Sequence, residues 1–280
     1  MRGRTVNEKS IKDFAVHLLR EERSLATREK YLRDVRRFSD FVGGRAVDWQ
    51  VVYNYKISLE RDYAVASANS MLAALNAFFR FCGWQDLCVK QFKVQREAFC
   101  SEEKELTRAE YLRLVEAAQR KGDLRMSLII QTICGTGIRV SELPFITVES
   151  AIRGEATVNC KGKTRRVFIV RRLQNKLLRY AKERGINTGS LFITREGKPM
   201  NRSCIWREMK RLCRDAGVPP SKVFPHNLRH LFARTFYEIE KDIAKLADIL
   251  GHSSINTTRI YIVETGTEHR RRMENMRLII

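Results

Sequence analysis

The chain has 280 residues and a formal net charge of +21, from 53 Lys plus Arg against 32 Asp plus Glu. With 44% hydrophobic and 30% charged residues, the composition is that of a globular protein of about two domains, and it excludes a disordered or fibrous chain. No apolar run is long enough to cross a bilayer, and the first residues lack a signal-peptide core, so we expect a cytoplasmic protein. The seven cysteines show no CxxC pair and no zinc spacing, which argues against a disulfide framework or a structural metal.

The positive charge indicates a polyanion as partner, because Lys and Arg that neutralise phosphates release condensed counterions and gain affinity. Charge alone does not say which polyanion. Residues 1–95 carry 17 basic and 11 acidic side chains, and the rest of the chain carries 36 and 21. Both parts are positive, which suits a clamp that holds one anion from two sides.

The first part of the chain, residues 1–92, predicts a compact all-α domain. Ile11, Phe14 and Leu18 recur at helical spacing on one face of the first helix. The predicted helices run from Ser10 to Glu22, from a cap at Ser24 or Thr27 to Gly43-Gly44, from Trp49 to about Asp62, and from Ser67 to Cys82. Residues 93–105 form a charged stretch without a core face, which we interpret as a linker.

The second part, residues 106–280, begins with a capping box between Thr107 and Glu110 and continues with an apolar helix from Leu124 to Cys134. The residue pattern that follows predicts a three-stranded meander, whose strands cover 145–148, 156–160 and 166–170, with a turn at Lys161-Gly-Lys163. Helical spacing returns after Arg171. The predicted fold class is therefore mainly α with a small antiparallel sheet, an α+β chain.

Polar residues whose side chains can take part in catalysis concentrate near the C-terminus. Pro225 is placed to start a helix that presents His226 and Arg229 on one face. A short helix ended by Gly251 delivers His252, and Tyr261 follows nine residues later.

Each of these residues also has an ordinary structural explanation. A lone His is more often a structural side chain, a Tyr between Ile residues is more often core, and Arg139 could simply cap a helix. The concentration of histidines favours a site, because four of the five lie in the last 55 residues: His226, His230, His252 and His269.

Four motifs, in this order, carry a resemblance to the tyrosine recombinases of the phage-integrase and Xer type. They are Gly135-Thr-Gly-Ile-Arg139-Val-Ser-Glu142-Leu, Cys160-Lys161-Gly-Lys-Thr-Arg-Arg-Val, His226-Asn-Leu-Arg229-His230 and Leu250-Gly-His252-Ser-Ser-Ile-Asn-Thr-Thr-Arg-Ile-Tyr261. The resemblance covers essentially the whole chain. It implies a SAM-like core-binding domain followed by a catalytic recombinase domain.

By this resemblance Tyr261 is the nucleophile, which attacks a DNA phosphodiester, forms a 3′-phosphotyrosine bond and releases a 5′-hydroxyl. Arg139 and Arg229 match the two arginines that grip the non-bridging oxygens, a task that suits a planar, permanently charged fork. His226 matches the general acid/base, and His252 matches a second hydrogen-bond donor to the phosphate.

Lys161 matches the lysine that protonates the leaving 5′-oxygen. Lys163 lies two residues away on the same predicted turn and stays an alternative; Lys161 is preferred because it aligns with the first lysine of the family pattern, although Cys160 replaces the leading glycine. We expect Glu142 to support the site. His230 neighbours Arg229 on the helix and points about 100° away, so we expect a packing or supporting role.

The resemblance implies neither ATP nor an essential metal, because the phosphotyrosine link conserves the bond energy. It implies double-stranded DNA recombination sites as partner, no membrane, association with the nucleoid, and a homotetramer. Neighbouring protomers of that tetramer would exchange C-terminal segments anchored by Leu278, Ile279 and Ile280. Integration of a mobile element, excision, inversion and dimer resolution all stay open, as do a type IB topoisomerase and a DNA-binding protein without catalysis.

Overall fold

The computed structural model describes residues 4–94, 102–160, 163–261, 270 and 273–276. The chain divides into two compact units, Met1–Arg96 and Glu97–Ile280. In the described residues, no helix is long and apolar enough to span a membrane.

Within residues 4–94, the first unit contains four α-helices and a short 3-10 turn at Gln85–Leu87. The helices are α1 (Glu8–Arg20), α2 (Leu25–Val42), α3 (Trp49–Asp62) and α4 (Val65–Phe81). Their core is aromatic, with Phe14 meeting Phe78 and Phe38 meeting Phe79 edge to face at centroid distances of 5.3 and 5.7 Å. This confirms the predicted four-helix arrangement.

The helix boundaries follow from local caps. Ser24, not Thr27, caps α2, since its hydroxyl accepts the Thr27 amide. The first helix begins two residues earlier than predicted because Asn7 and Ser10 form a capping box. Asp48 caps α3, whose observed bounds equal the predicted ones.

The second unit combines eight α-helices and three short 3-10 helices with two strands in its described residues. The helices are α5 (Arg108–Arg120), α6 (Leu124–Thr136), α7 (Val148–Arg153), α8 (Arg171–Arg184), α9 (Arg202–Ala216), α10 (Pro225–Glu240), α11 (Ile243–Leu250) and α12 (Ile255–Arg259). Strands β1 (Glu155–Cys160) and β2 (Lys163–Phe168) pair antiparallel.

The prediction of a strand at 145–148, the first of the three in chain order, is wrong. Phe145 ends a 3-10 helix, and Thr147 makes only an isolated bridge to Ser190 before it caps α7 in a capping box with Ser150. The helix cap at Thr147 outweighs the β propensity of this short run. Lys163 also departs from its predicted place on the turn, because it opens β2 opposite Cys160.

The central helix α6 positions the site. Met126, Ile129 and Ile133 are fully buried in the core of the second unit. The helix ends at Gly137, whose φ of +64° is a left-handed cap that favours glycine. A Cβ at Gly137 would also collide with the ring of Phe232. The chain therefore turns sharply at this glycine and delivers Arg139.

Candidate active site

Arg139 and Glu142 form a small network at the end of α6. Glu142 accepts from the Arg139 amide at 2.9 Å and from Arg139 Nη1 at 2.8 Å, and Arg139 Nη2 donates to the Gly251 carbonyl at 3.2 Å. The Glu142 side chain is buried, whereas Arg139 keeps 36% of its side chain exposed. Burial alone would raise the pKa of Glu142, but the hydrogen bonds from Arg139 and the charge of Arg165 outweigh it and lower the pKa.

Arg229 is almost completely buried, at 2% exposure. It extends from α10 between two chain turns, donating Nη1 to the Gly137 carbonyl and Nη2 to the Leu250 carbonyl at 2.7 Å. Burial, followed by the charge of Arg139, lowers the pKa of Arg229 to about 10. In the described residues its Nε has no hydrogen-bond partner, so one donor at the centre of the site is unsatisfied.

His252 follows the Gly251 cap of α11 and is fixed on both sides of its ring. Arg229 Nη2 lies 3.0 Å from Nε2, and Thr258 Oγ1 lies 2.9 Å from Nδ1. Because a guanidinium is only a donor, Nε2 must accept, and the proton of the neutral ring resides on Nδ1 and points to Thr258. In this state His252 is an acceptor at Nε2.

Tyr261 is buried, with 6% exposure, and packs against three imidazoles. The centroid of its ring lies 4.2 Å from that of His230, 5.2 Å from His252 and 5.3 Å from His226. The Tyr261 amide donates to the Thr258 carbonyl at 2.9 Å, which closes the turn after α12. His230 thus contacts the candidate nucleophile despite following Arg229 directly in the chain.

The site disfavours charged imidazoles. Burial, followed by the charge of Arg229, lowers the pKa of His252 to about 4. Burial, followed by His226, lowers the pKa of His230 to about 4. The pKa of His226 is also lowered, by partial desolvation and then by Arg229, although this residue stays exposed at the rim. All three rings are therefore neutral near pH 7.

A pocket of about 340 Å³ opens beside these groups. Its lining includes Arg139, His226 and Arg229, together with Arg202 and Trp206 from α9. An open pocket with several guanidiniums suits an anionic ligand.

The lysine assignments remain predictions. Lys161 lies outside the described residues, as do His269 and the terminal anchors Leu278, Ile279 and Ile280. For Lys163 only the backbone is described, as the first residue of β2.

Two residues of this network stand inside the four sequence motifs, but the sequence pattern assigns them no role. Arg165 on β2 donates to Glu142, and Thr258 holds both His252 and Tyr261. The alternation of a strand places Arg165 and Arg166 on opposite faces, but it does not say which one faces inward. Thr258 lies in a polar run with no distinguishing pattern.

Comparisons with known proteins agree with this architecture. Residues 104–267 match the phage integrase family, and residues 11–86 match the SAM-like N-terminal domain of phage integrases. Tyrosine recombinase XerA of Pyrococcus furiosus is 29% identical over 289 residues, covering 100% of this chain and 98% of the relative. The XerA protein of Thermococcus kodakarensis is 32% identical over 282 residues, covering 96% and 95%.

Among solved structures, a lambda integrase tetramer bound to a Holliday junction superposes with a TM-score of 0.71 at 17% identity, covering 92% of this chain and 77% of that one. This likeness establishes an integrase fold, a helical unit followed by a mainly α unit with a small sheet. The chain belongs to the phage integrase family and is a tyrosine-type site-specific recombinase.

Proposed function

We propose that the site in the second unit cleaves DNA by attack of the Tyr261 hydroxyl on a phosphodiester. One observation carries the proposal: the buried Tyr261 ring lies against three neutral imidazoles that come from separate segments of the chain. One of these imidazoles, His226, lines a pocket together with Arg139 and Arg229. A phenol is a weak nucleophile until a base accepts its proton and the charge developing on phosphorus is stabilised. The site supplies both functions.

In the proposed step, His226 accepts the phenol proton while the Tyr261 oxygen bonds to phosphorus and the bond to the 5′-oxygen breaks. The depressed pKa of His226 keeps its ring neutral at pH 7, which is the protonation state that a base requires. The 3′-phosphate stays on Tyr261, and the 5′-oxygen leaves with a proton from Lys161. Attack by the 5′-hydroxyl of a second strand reverses the step and completes one exchange.

Arg139 and Arg229 hold the non-bridging oxygens in this proposal. Support comes from the unsatisfied Nε of Arg229 and from the accessible side chain of Arg139 at the pocket. His252 becomes a donor to the phosphate only after its proton moves from Nδ1 to Nε2. Thr258 permits this change, because a hydroxyl can accept from Nδ1–H and can equally donate to bare Nδ1.

The proposed substrate is a pair of double-stranded DNA sites held by a homotetramer, with both positively charged units engaged. The lambda integrase relative is a tetramer on a Holliday junction, which supports this assembly. We further propose that residues 1–92 bind the DNA core site and that the terminal segment passes to a neighbouring protomer. A recombinase acting on the chromosome is expected to associate with the nucleoid.

The direct test uses nicked DNA duplexes that carry candidate sites. Cleavage next to the nick releases a short fragment that carries the 5′-hydroxyl, and its loss traps the covalent intermediate because the reverse reaction needs that hydroxyl. We expect a denaturation-resistant protein–DNA adduct with the wild type. Tyr261→Phe removes only the hydroxyl, so the variant is expected to bind DNA normally and to form no adduct. An adduct that persists in Tyr261→Phe would refute the assignment of the nucleophile.

A further inference from the structure

Arg165 joins two parts of the site that the chain brings together from distant positions. Its side chain comes from β2 and is only 12% exposed. It donates Nη2 to Glu142 Oε2 at 2.5 Å and Nη1 to the Ile249 carbonyl at 2.8 Å. A planar guanidinium can satisfy both acceptors at once with a fixed angle between them, which a lysine cannot do.

Both acceptors belong to elements that hold residues of the phosphate site. Glu142 fixes Arg139 through two hydrogen bonds. The segment 249–251 ends α11, supplies the carbonyls that accept from Arg229 and Arg139, and leads directly into His252. Arg165 therefore connects the support of one guanidinium to the turn that orients the other guanidinium and His252.

The turn is shaped around this side chain. Gly251 has a φ of +64°, and a Cβ built there would collide with Cδ and Nε of Arg165. Glycine is thus needed for two reasons, a left-handed conformation and the close approach of Arg165. The turn and the Arg165 side chain are therefore packed directly against each other.

We propose that Arg165 is a positioning residue for strand cleavage, which holds Arg139 and the His252 turn at the separation that one phosphate requires. Arg165 acts through Glu142 and the 249–251 carbonyls rather than on DNA. The proposal rests on the proposed function for its kinetic test. Its structural consequence for His252 can be measured without any DNA.

The neighbouring residue offers a matched control. Arg166 lies on the same strand with 72% of its side chain exposed, 3.9 Å from Glu155 in an exposed pair of little energetic weight. Arg165→Met and Arg166→Met remove the same charge from the same strand. Any loss of nonspecific DNA affinity should therefore be shared, whereas a loss of site geometry should be confined to Arg165→Met.

The kinetic test measures adduct formation at saturating DNA, well below the melting temperature of each variant. We expect Arg165→Met to slow cleavage by about tenfold or more and Arg166→Met by less than about twofold. Misplaced phosphate-binding groups stabilise the transition state less well, which lowers the rate rather than the affinity for DNA. Arg165→Lys keeps the charge but reaches one acceptor at a time, so an intermediate rate is expected. This second variant serves if Arg165→Met folds poorly.

Two modified substrates locate the defect. A methylphosphonate at the cleavage site is neutral and needs less help from guanidiniums, so the ratio of wild-type to Arg165→Met rates should narrow. Sulfur at the 5′-bridging position leaves without a proton, and it should leave that ratio unchanged. A ratio that collapses with the sulfur substrate, or equal slowing by Arg165→Met and Arg166→Met, would overturn the proposal.

A DNA-free measurement separates this inference from the proposed function. Imidazole NMR signals of His252 in the free protein should move in Arg165→Met and stay in place in Arg166→Met. Absence of adduct with wild-type protein, together with this shift, would count against the proposed function and for the positioning role. Unmoved His252 signals in Arg165→Met would overturn the positioning role, whatever the wild type does to DNA.

Discussion

The buried amides of the first unit and the buried guanidiniums of the second unit are satisfied to different degrees. In the first unit, Asn76 on α4 is buried and completes its bonds within the unit, donating to the Val89 carbonyl at 2.8 Å and accepting from the Val89 amide at 3.0 Å. Asn69 pairs with both backbone groups of Phe92 in the same manner. These amides act as short strand partners and hold the segment that leaves α4.

In the described residues of the second unit, three guanidiniums lie near the site, and only two of them bond a buried carboxylate there. Arg139 and Arg165 share Glu142, while Arg229 has no carboxylate partner among the described residues and keeps one unsatisfied donor. Leaving buried positive charge uncompensated costs stability in any globular protein. The contrast teaches that these buried amides serve the fold of the first unit, whereas the buried guanidiniums of the second unit keep hydrogen-bonding capacity for an anion.

The largest expected effect separates these two kinds of buried group. Arg229→Lys keeps the charge but loses the fork, so we expect cleavage at saturating DNA to slow by a factor on the order of 100 to 1,000. Asn76→Ala in the first unit is expected to lower the free energy of unfolding by about 1 to 3 kcal/mol and to leave the cleavage rate of folded protein unchanged. Adduct kinetics and denaturant unfolding of both variants test the contrast.

The contrast between the two units would be contradicted if the two variants cleaved DNA at similar rates. Slow cleavage by well-folded Asn76→Ala would mean that the first unit takes part in the chemical step. Normal cleavage by Arg229→Lys would mean that the buried guanidinium is only structural.

A smaller effect is expected at Thr258, whose hydroxyl holds Nδ1 of His252 in either tautomer. Thr258→Val is nearly isosteric but offers no hydroxyl to either tautomer, so we expect cleavage to slow by about tenfold, the equivalent of one lost hydrogen bond. Thr258→Ser retains the hydroxyl and should cleave at close to the wild-type rate. Single-turnover rates of the pair test this role, and equal rates in Thr258→Val and wild type would contradict it.

The smallest effect concerns stability and pH. Because His230 and His252 have a pKa of about 4 in the fold and about 6.5 when unfolded, the unfolded chain binds more protons between these values. Stability should therefore fall as pH drops from about 6.5 towards 4, and the thermal midpoint should fall with it. His230→Gln removes one such group and should give a shallower profile. Parallel profiles of His230→Gln and wild type would contradict a buried neutral His230.

The sequence predicts the elements of both units well because their signals are local. Periodic apolar residues and caps such as Asp48 and Thr107 act within a few residues of the helix they start. The prediction of a strand at 145–148 is wrong because this short β-like run contains no signal strong enough to compete with the Thr147 cap. Local patterns carry no information about such competition.

The site was predictable only in part. Its principal residues stand in recognisable motifs, but the inward orientation of Arg165, the two-sided grip on His252 and the contact of His230 with Tyr261 depend on how distant segments pack. Helical geometry turned His230 away from Arg229, yet it could not say that Tyr261 would lie on that side. Tertiary packing decides these contacts.

The most direct test of the central claim is to identify the amino acid that carries DNA in the trapped adduct. Proteolysis of the adduct followed by mass spectrometry should recover the peptide containing Tyr261 with a nucleotide joined through its 3′-phosphate. A nucleotide on any other residue, or one joined through a 5′-phosphate, would contradict the account.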